Sequence, residues 1–314
     1  MNLILRTTAA AAFAAVALTS CAVSTVSTGN GSPDAAVSGS NTAVSDNAAV
    51  TDTTVQPVTE EVTEPFSLNV DVPAGYSLPQ SYVIEGFNAV LQEPELPTGC
   101  EVTSLAADLN YLGFNIDKIT LCDNFMPISL AGQVVMDEAY VGNPRYDGFG
   151  CNANVIVQTA DKYFASVDSP CYGADLTGQE LNEVLYQVTQ GRPVLVWSTI
   201  GLRLSYPEYV WTASNGKELV FDWYQHCMVV YGFDYDQGIV YAADPLEGNV
   251  TYPIDQFENI YGIMGKQAVV ICGDASTKGH HVTTDAERSI TMPPYNETEG
   301  VEKITPSEEN AAND

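Results

Sequence analysis

Apolar positions along this chain change their spacing twice, and the changes divide it. Residues 22–64 scatter Ala and Val among Ser, Thr, Asn, Gly and Asp, with no aromatic side chain. Nothing there could build a core, so the stretch reads as a flexible tether. Residues 65–273 carry the periods of folded structure. Behind Cys100, the positions Val102, Leu105, Ala106, Leu109 and Leu112 follow the three-and-four spacing of an amphipathic helix, and Gly113 is placed to end it. Thr177 and Glu180 make a T-x-x-E capping box ahead of Leu181, Val184, Leu185 and Val188, which predicts a second helix over 178–190. The run PVLVWS at 193–198 is short and apolar, as a buried strand would be. Strands are also expected over 227–233 and 238–243, joined by the turn residues of 234–237, and over 267–272. Helices thus dominate the first half and strands the second, an α+β layout of single-domain size. Residues 274–314 return to polar, acidic, Pro-containing sequence and are expected to form a flexible tail.

Charge changes the picture of partners. The 314 residues hold 11 Lys and Arg against 40 Asp and Glu, a formal net charge of −29. Such a surface repels phosphate backbones and anionic headgroups, which argues against nucleic acid as a partner. The opening residues look like an address: Arg6, then the apolar stretch 9–18, then Leu18-Thr19-Ser20-Cys21. That stretch is shorter than the roughly 20 residues a membrane span needs, so residues 1–21 read as a signal peptide. Its end resembles the bacterial lipobox, whose cysteine, here Cys21, becomes the lipidated first residue. An ordinary secretory signal cleaved nearby is the alternative. Either way the folded region acts outside the cytoplasm, attached to the membrane only through a lipid or secreted outright.

Candidate chemistry begins with scarcity. There are three histidines, and His280 and His281 sit side by side in the polar tail, where solvation is the expected state. His226 instead opens the strand pattern H-C-M-V-V-Y-G. Cys100 follows the turn L-P-T-G and starts the first helix. A helix N-terminus favours a thiolate through its unpaired N–H groups and dipole, and a nearby imidazolium would lower the thiol pKa further. The ring then needs an orienting group. Asp244 ends the 238–243 strand, and two adjacent antiparallel strands could bring it beside His226; Asp222 ranks second. No C-x-x-C pair or helical His spacing suggests zinc, and no metal or cofactor is expected.

These residues resemble a family. The segment Q-E-P-E-L-P-T-G-C-E at 92–101, with L-N-Y-L-G at 109–113, is similar to cysteine-peptidase family thirty-nine, the bacteriocin-processing peptidases, and its stand-alone relatives. The likeness continues through F-G-C at 149–151, G-R-P-V at 191–194, the segment that opens at His226, and Asp244-Pro245. It implies a papain-like fold, with a helical N-terminal part whose catalytic helix packs on an antiparallel sheet. It further implies Cys100 as nucleophile, His226 as base and then acid, and Asp244 as orienter. Gln92, with the Cys100 N–H, would form the oxyanion hole. The implied substrate is a peptide or protein. A transferase or cell-wall amidase of the same chemistry, or an inactive binding module, would share these residues. The best-known members are fused to a transporter, whereas this chain has neither membrane spans nor a phosphate-binding G-x-x-x-x-G-K-[ST] motif.

The other cysteines leave questions open. Cys122, Cys151, Cys171, Cys227 and Cys272 are odd in number, so one at least stays free, and Cys151 with Cys171 is one pairing among many. Cys227 alternates away from His226 and is expected in the core. The aromatic stretch holding Trp197, Tyr206, Tyr209, Trp211, Trp223 and Tyr224 suits a substrate groove or a core equally.

Overall fold

A computed structural model describes residues 70–276 and 301–304. The expectations for Cys21, the signal peptide, the tether, His280 and His281 lie outside the described residues. In chain order the elements are β1 (Ser81–Val83), α1 (Cys100–Tyr111), α2 (Lys118–Phe125), β2 (Ile128–Ser129), β3 (Tyr140–Gly142), β4 (Gly148–Gly150), α3 (Ala153–Ser166), β5 (Tyr172–Asp175) and α4 (Leu181–Thr189). There follow β6 (Val194–Thr199), β7 (Pro207–Thr212), β8 (Glu218–Asp222), β9 (Gln225–Asp234), β10 (Ile239–Asp244), β11 (Gly248–Pro253), α5 (Ile254–Ile263), β12 (Ala268–Cys272) and β13 (Glu302–Lys303).

The main sheet is antiparallel, in the order β11-β10-β9-β6-β12-β5, with β1 pairing the far end of β9. β6 and β12 are buried along their length, and β9 is buried at all but its end residues, as their near-continuous apolar runs require. A strand without a polar face needs cover on both sides. α1 lies on β9 and β6, α3 on β5 and β12, α4 on β9 and β1, and α5 on β6. The expected strands fall within two residues of the observed β6, β9, β10 and β12. A smaller sheet, β13-β7-β8, encloses a second core of Met136, Val141, Trp211 and Phe221. Its edge strand β13 belongs to the stretch expected as tail, with Glu302 opposite Val210 and Lys303 opposite Tyr209. No helix among the described residues is long and apolar enough to cross a membrane.

Three expectations need correction. α1 ends as anticipated, with Gly113 at φ +90° and Phe114 N–H bonded to the Leu109 carbonyl at 2.9 Å. It is not amphipathic, though: every residue from Cys100 to Leu109 is buried, polar ones included, because β9, α2 and α3 enclose it. The second helix starts three residues late. Its capping pair is Glu180 with Glu183, whose Oε2 accepts the Glu180 N–H at 2.8 Å. Thr177 and Gly178 instead form a turn, with Thr177 N–H bonded to Asp175 Oδ1 at 2.8 Å and Gly178 at φ +95°. Finally, the six described cysteines form no disulfide with one another, so the Cys151–Cys171 pairing, one among many, is not made. Cys151 lies under Trp197, whose Nε1 donates to its carbonyl, while the Cys171 thiol donates to the Asp274 carbonyl at 3.4 Å.

Candidate active site

α1 begins at a crowded corner. A Cβ on Gly99, the residue before it, would meet the Leu96 Cβ at 3.0 Å and the Pro144 Cβ at 3.3 Å, so a larger residue would press on the turn into the helix. The first helical bond runs from Thr103 N–H to the Gly99 carbonyl at 3.1 Å. Cys100 is therefore set at the helix N-terminus, where it is 8% exposed.

His226 and Asp244 meet because of an irregularity. From Ile239 to Tyr241, β10 pairs β9 in one register, Tyr241 opposite Gly232. The next pair is Ala242 with Val230, so Tyr231 is the extra residue of a bulge. Ala243 then faces Val229, and the same register carried one step further sets Asp244 opposite Met228. Met228 and His226 share a face, since side chains alternate. Without the bulge Asp244 would stand opposite Val229, on the wrong face. With it, His226 Nε2 donates to Asp244 Oδ1 at 2.8 Å. The pair is buried, each residue 1% exposed.

Asp244 is the ring's partner, and the alternative, Asp222, is not. Asp222 closes β8 half-buried, and burial raises its pKa. Burial would raise Asp244 as well, but bonds from His226, Leu246 N–H and Tyr252 Oη, together with the His226 charge, hold its carboxyl below the ordinary range. Tyr252 Oη donates to Oδ2 and the Leu246 N–H to Oδ1, both at 2.8 Å.

Gln92 comes from the loop ahead of α1. Its N–H donates to the Pro245 carbonyl at 2.8 Å, and its Nε2 donates to the Pro97 carbonyl. Oε1 is buried without a hydrogen-bond partner among the described residues. An amide nitrogen has two hydrogens, so Nε2 has a second to give.

Cys100, His226 and Gln92 all line one cavity of about 270 Å³, together with Glu101, Phe149 and Trp223. An adjoining cavity of about 520 Å³ is bounded by Phe149, Tyr209, Phe221, Trp223, Val301 and Lys303. The aromatic stretch thus divides: Trp197 and Trp211 are core, while Trp223 and Tyr224 line the cleft. Cys227 is fully buried, as core packing requires.

The electrostatics of the closed site run against the expected thiolate. Burial first, then the Glu101 and Cys227 charges, push the Cys100 thiol well above its ordinary value, against a backbone hydrogen bond from Cys227. The thiol donates to Glu101 Oε2 at 3.4 Å, and among the described residues it makes no hydrogen bond to the His226 ring. Glu101 was missed by sequence reasoning: an acid in a helix's first turn reads as an ordinary partner for the dipole.

The sequence model of the Peptidase_C39 like family matches residues 84–269. The chain is 33% identical over 189 residues to the uncharacterized protein YvpB of Bacillus subtilis strain 168, covering 58% of this chain and 72% of that one. A crystal structure from Bacillus anthracis, solved as a candidate C39-like peptidase, shares 29% identity at a TM-score of 0.55, covering 64% of this chain and all of that one. The fold is accordingly papain-like, and the chain belongs to the Peptidase_C39 like family.

Proposed function

We propose that the protein is a cysteine peptidase whose nucleophile is Cys100. The observation that carries the reading is the buried His226–Asp244 pair, 2.8 Å apart, opening on the cavity that Cys100 also lines. Nε2 carries the proton given to Asp244, which leaves Nδ1 to take the thiol proton. The sulfur then attacks a peptide carbonyl. The Cys100 N–H and Gln92 Nε2 would receive the oxyanion; losing one such donor costs roughly 3–4 kcal/mol. His226 returns its proton to the leaving amine, and water activated by the same ring hydrolyses the thioester. The substrate is a peptide or protein segment, and the enzyme works outside the cytoplasm as a lipoprotein attached through Cys21.

Cys100→Ala in the full-length chain tests this. Wild type incubated with a peptide library should yield products by mass spectrometry, and the variant should yield none while keeping its circular dichroism spectrum. A folded variant that still turns over, or wild type that cleaves nothing, ends the reading. Products carrying an acyl acceptor other than water would reassign the reaction to transfer.

A further inference from the structure

Glu101 plays no part in the mechanism above, yet it lines the same cavity and is only 1% exposed. Its Oε1 accepts the Cys151 N–H at 2.9 Å and its Oε2 accepts the Cys100 S–H at 3.4 Å. Gly150, at φ +101°, bends tightly around it. A Cβ there would stand 2.4 Å from Oε1, so a side chain at 150 would have to push the carboxylate aside. One oxygen is therefore pinned by backbone, and the other is turned to the sulfur.

We propose that Glu101 is a positioning residue that holds the nucleophile at rest: the Cys100 thiol donates to its carboxylate, and the sulfur must leave it for the His226 imidazole before attack. The word nucleophile rests on the peptidase reading. In the transfer the S–H bond breaks, the proton goes to His226 Nδ1, the electron pair stays on sulfur, and Glu101 is left a free carboxylate.

The surroundings support this. Titratable groups that interact with Glu101 lie on each element around it: Cys100 on α1, Cys122 on α2, Tyr140 on β3, Cys151 ahead of α3, and His226 and Cys227 on β9. Burial raises the Glu101 carboxyl, against the Cys151 bond. Burial raises the Cys100 thiol as well, and the Glu101 charge raises it further. Two anions side by side repel, and the sulfur keeps its proton.

The test needs no turnover. Alkylation of the full-length chain by iodoacetamide is followed from pH 5 to 10, with Cys100 read by peptide mass spectrometry. Wild type should show a midpoint at or above about 8.5, the value of an ordinary thiol. Glu101→Gln keeps an oxygen for Cys151 N–H and removes the charge. Its midpoint should fall, raising the Cys100 rate at pH 7 about tenfold, as one pKa unit does. Coincident profiles in a folded variant overturn the proposal, and so does a wild-type midpoint below about 7. If Glu101→Gln does not fold, the wild-type midpoint decides alone. A shifted profile in a protein that cleaves no peptide would keep Glu101's role and discard the peptidase. Activity lost in Cys100→Ala with coincident profiles would do the reverse.

Discussion

Asp244 accepts from three donors, and Tyr252 is the one that reaches it from across the β10–β11 hairpin. Its carboxyl is held below the ordinary range, so its contribution to stability is present above the unfolded value, about 3.9, and is lost as pH falls through the folded one. Tyr252→Phe removes a hydrogen bond to a buried charge. We expect a loss of about 1.5–3 kcal/mol at pH 7 by urea denaturation, shrinking toward zero in acid as Asp244 takes up a proton. An equal loss at every pH would mean the phenol acts by packing. At this scale the sequence was readable where chemistry is rare. A cysteine at a helix start, one histidine opening a strand, and an aspartate closing the next strand have few other uses together. Gln92 could be named only through a resemblance. Glu101 was hidden because its burial is made by α2, α3 and β9, none of which its neighbours in sequence reveal.

Among the elements, β6, β9 and β12 were legible because a strand covered on both faces must be apolar throughout. α3 also carries helical spacing, in Val155, Ile156, Thr159, Ala160, Tyr163 and Phe164, but no chemistry drew attention to it. β2, β3, β4, β7 and β8 are short or mixed in polarity, so neither a run nor an alternation marked them, although each pairs with a near neighbour in the chain. The bulge at Tyr231 left one sign, a glycine at 232 inside an apolar strand. Gly232 is also where β1 presses closest: a Cβ would meet the Tyr82 carbonyl at 2.9 Å and the Tyr241 ring at 3.1 Å. Gly232→Ala should therefore cost about 1–3 kcal/mol by urea denaturation, with β1 displaced. A neutral substitution would show that this junction has slack.

For the molecule as a whole, acidity enters the interior as well as the surface. Asp108 is fully buried on α1, neither of its oxygens has a hydrogen-bond partner among the described residues, and burial raises it well above the ordinary carboxylate range. The folded state then holds that proton more tightly than the unfolded one. Stability is greatest in acid and is lost as pH rises from the unfolded value, about 3.9, through the raised one. Asp108→Asn should lessen that decline, making the variant the more stable protein at pH 8 by urea denaturation, with the advantage gone near pH 4. A wild-type profile flat between those limits would contradict the assignment. Asp244 works in the opposite direction and only at the acid end, so the two windows separate.

The backbone bond from Gln92 N–H to the Pro245 carbonyl makes neighbours of two loops that lie some 150 residues apart in sequence. In the proposed mechanism one carries the amide offered to the developing negative charge, and the other follows the acid that steadies the imidazole. Loosening either strand of this tie should disturb both, so paired substitutions at Gln92 and Asp244 would cost less than their separate losses combined.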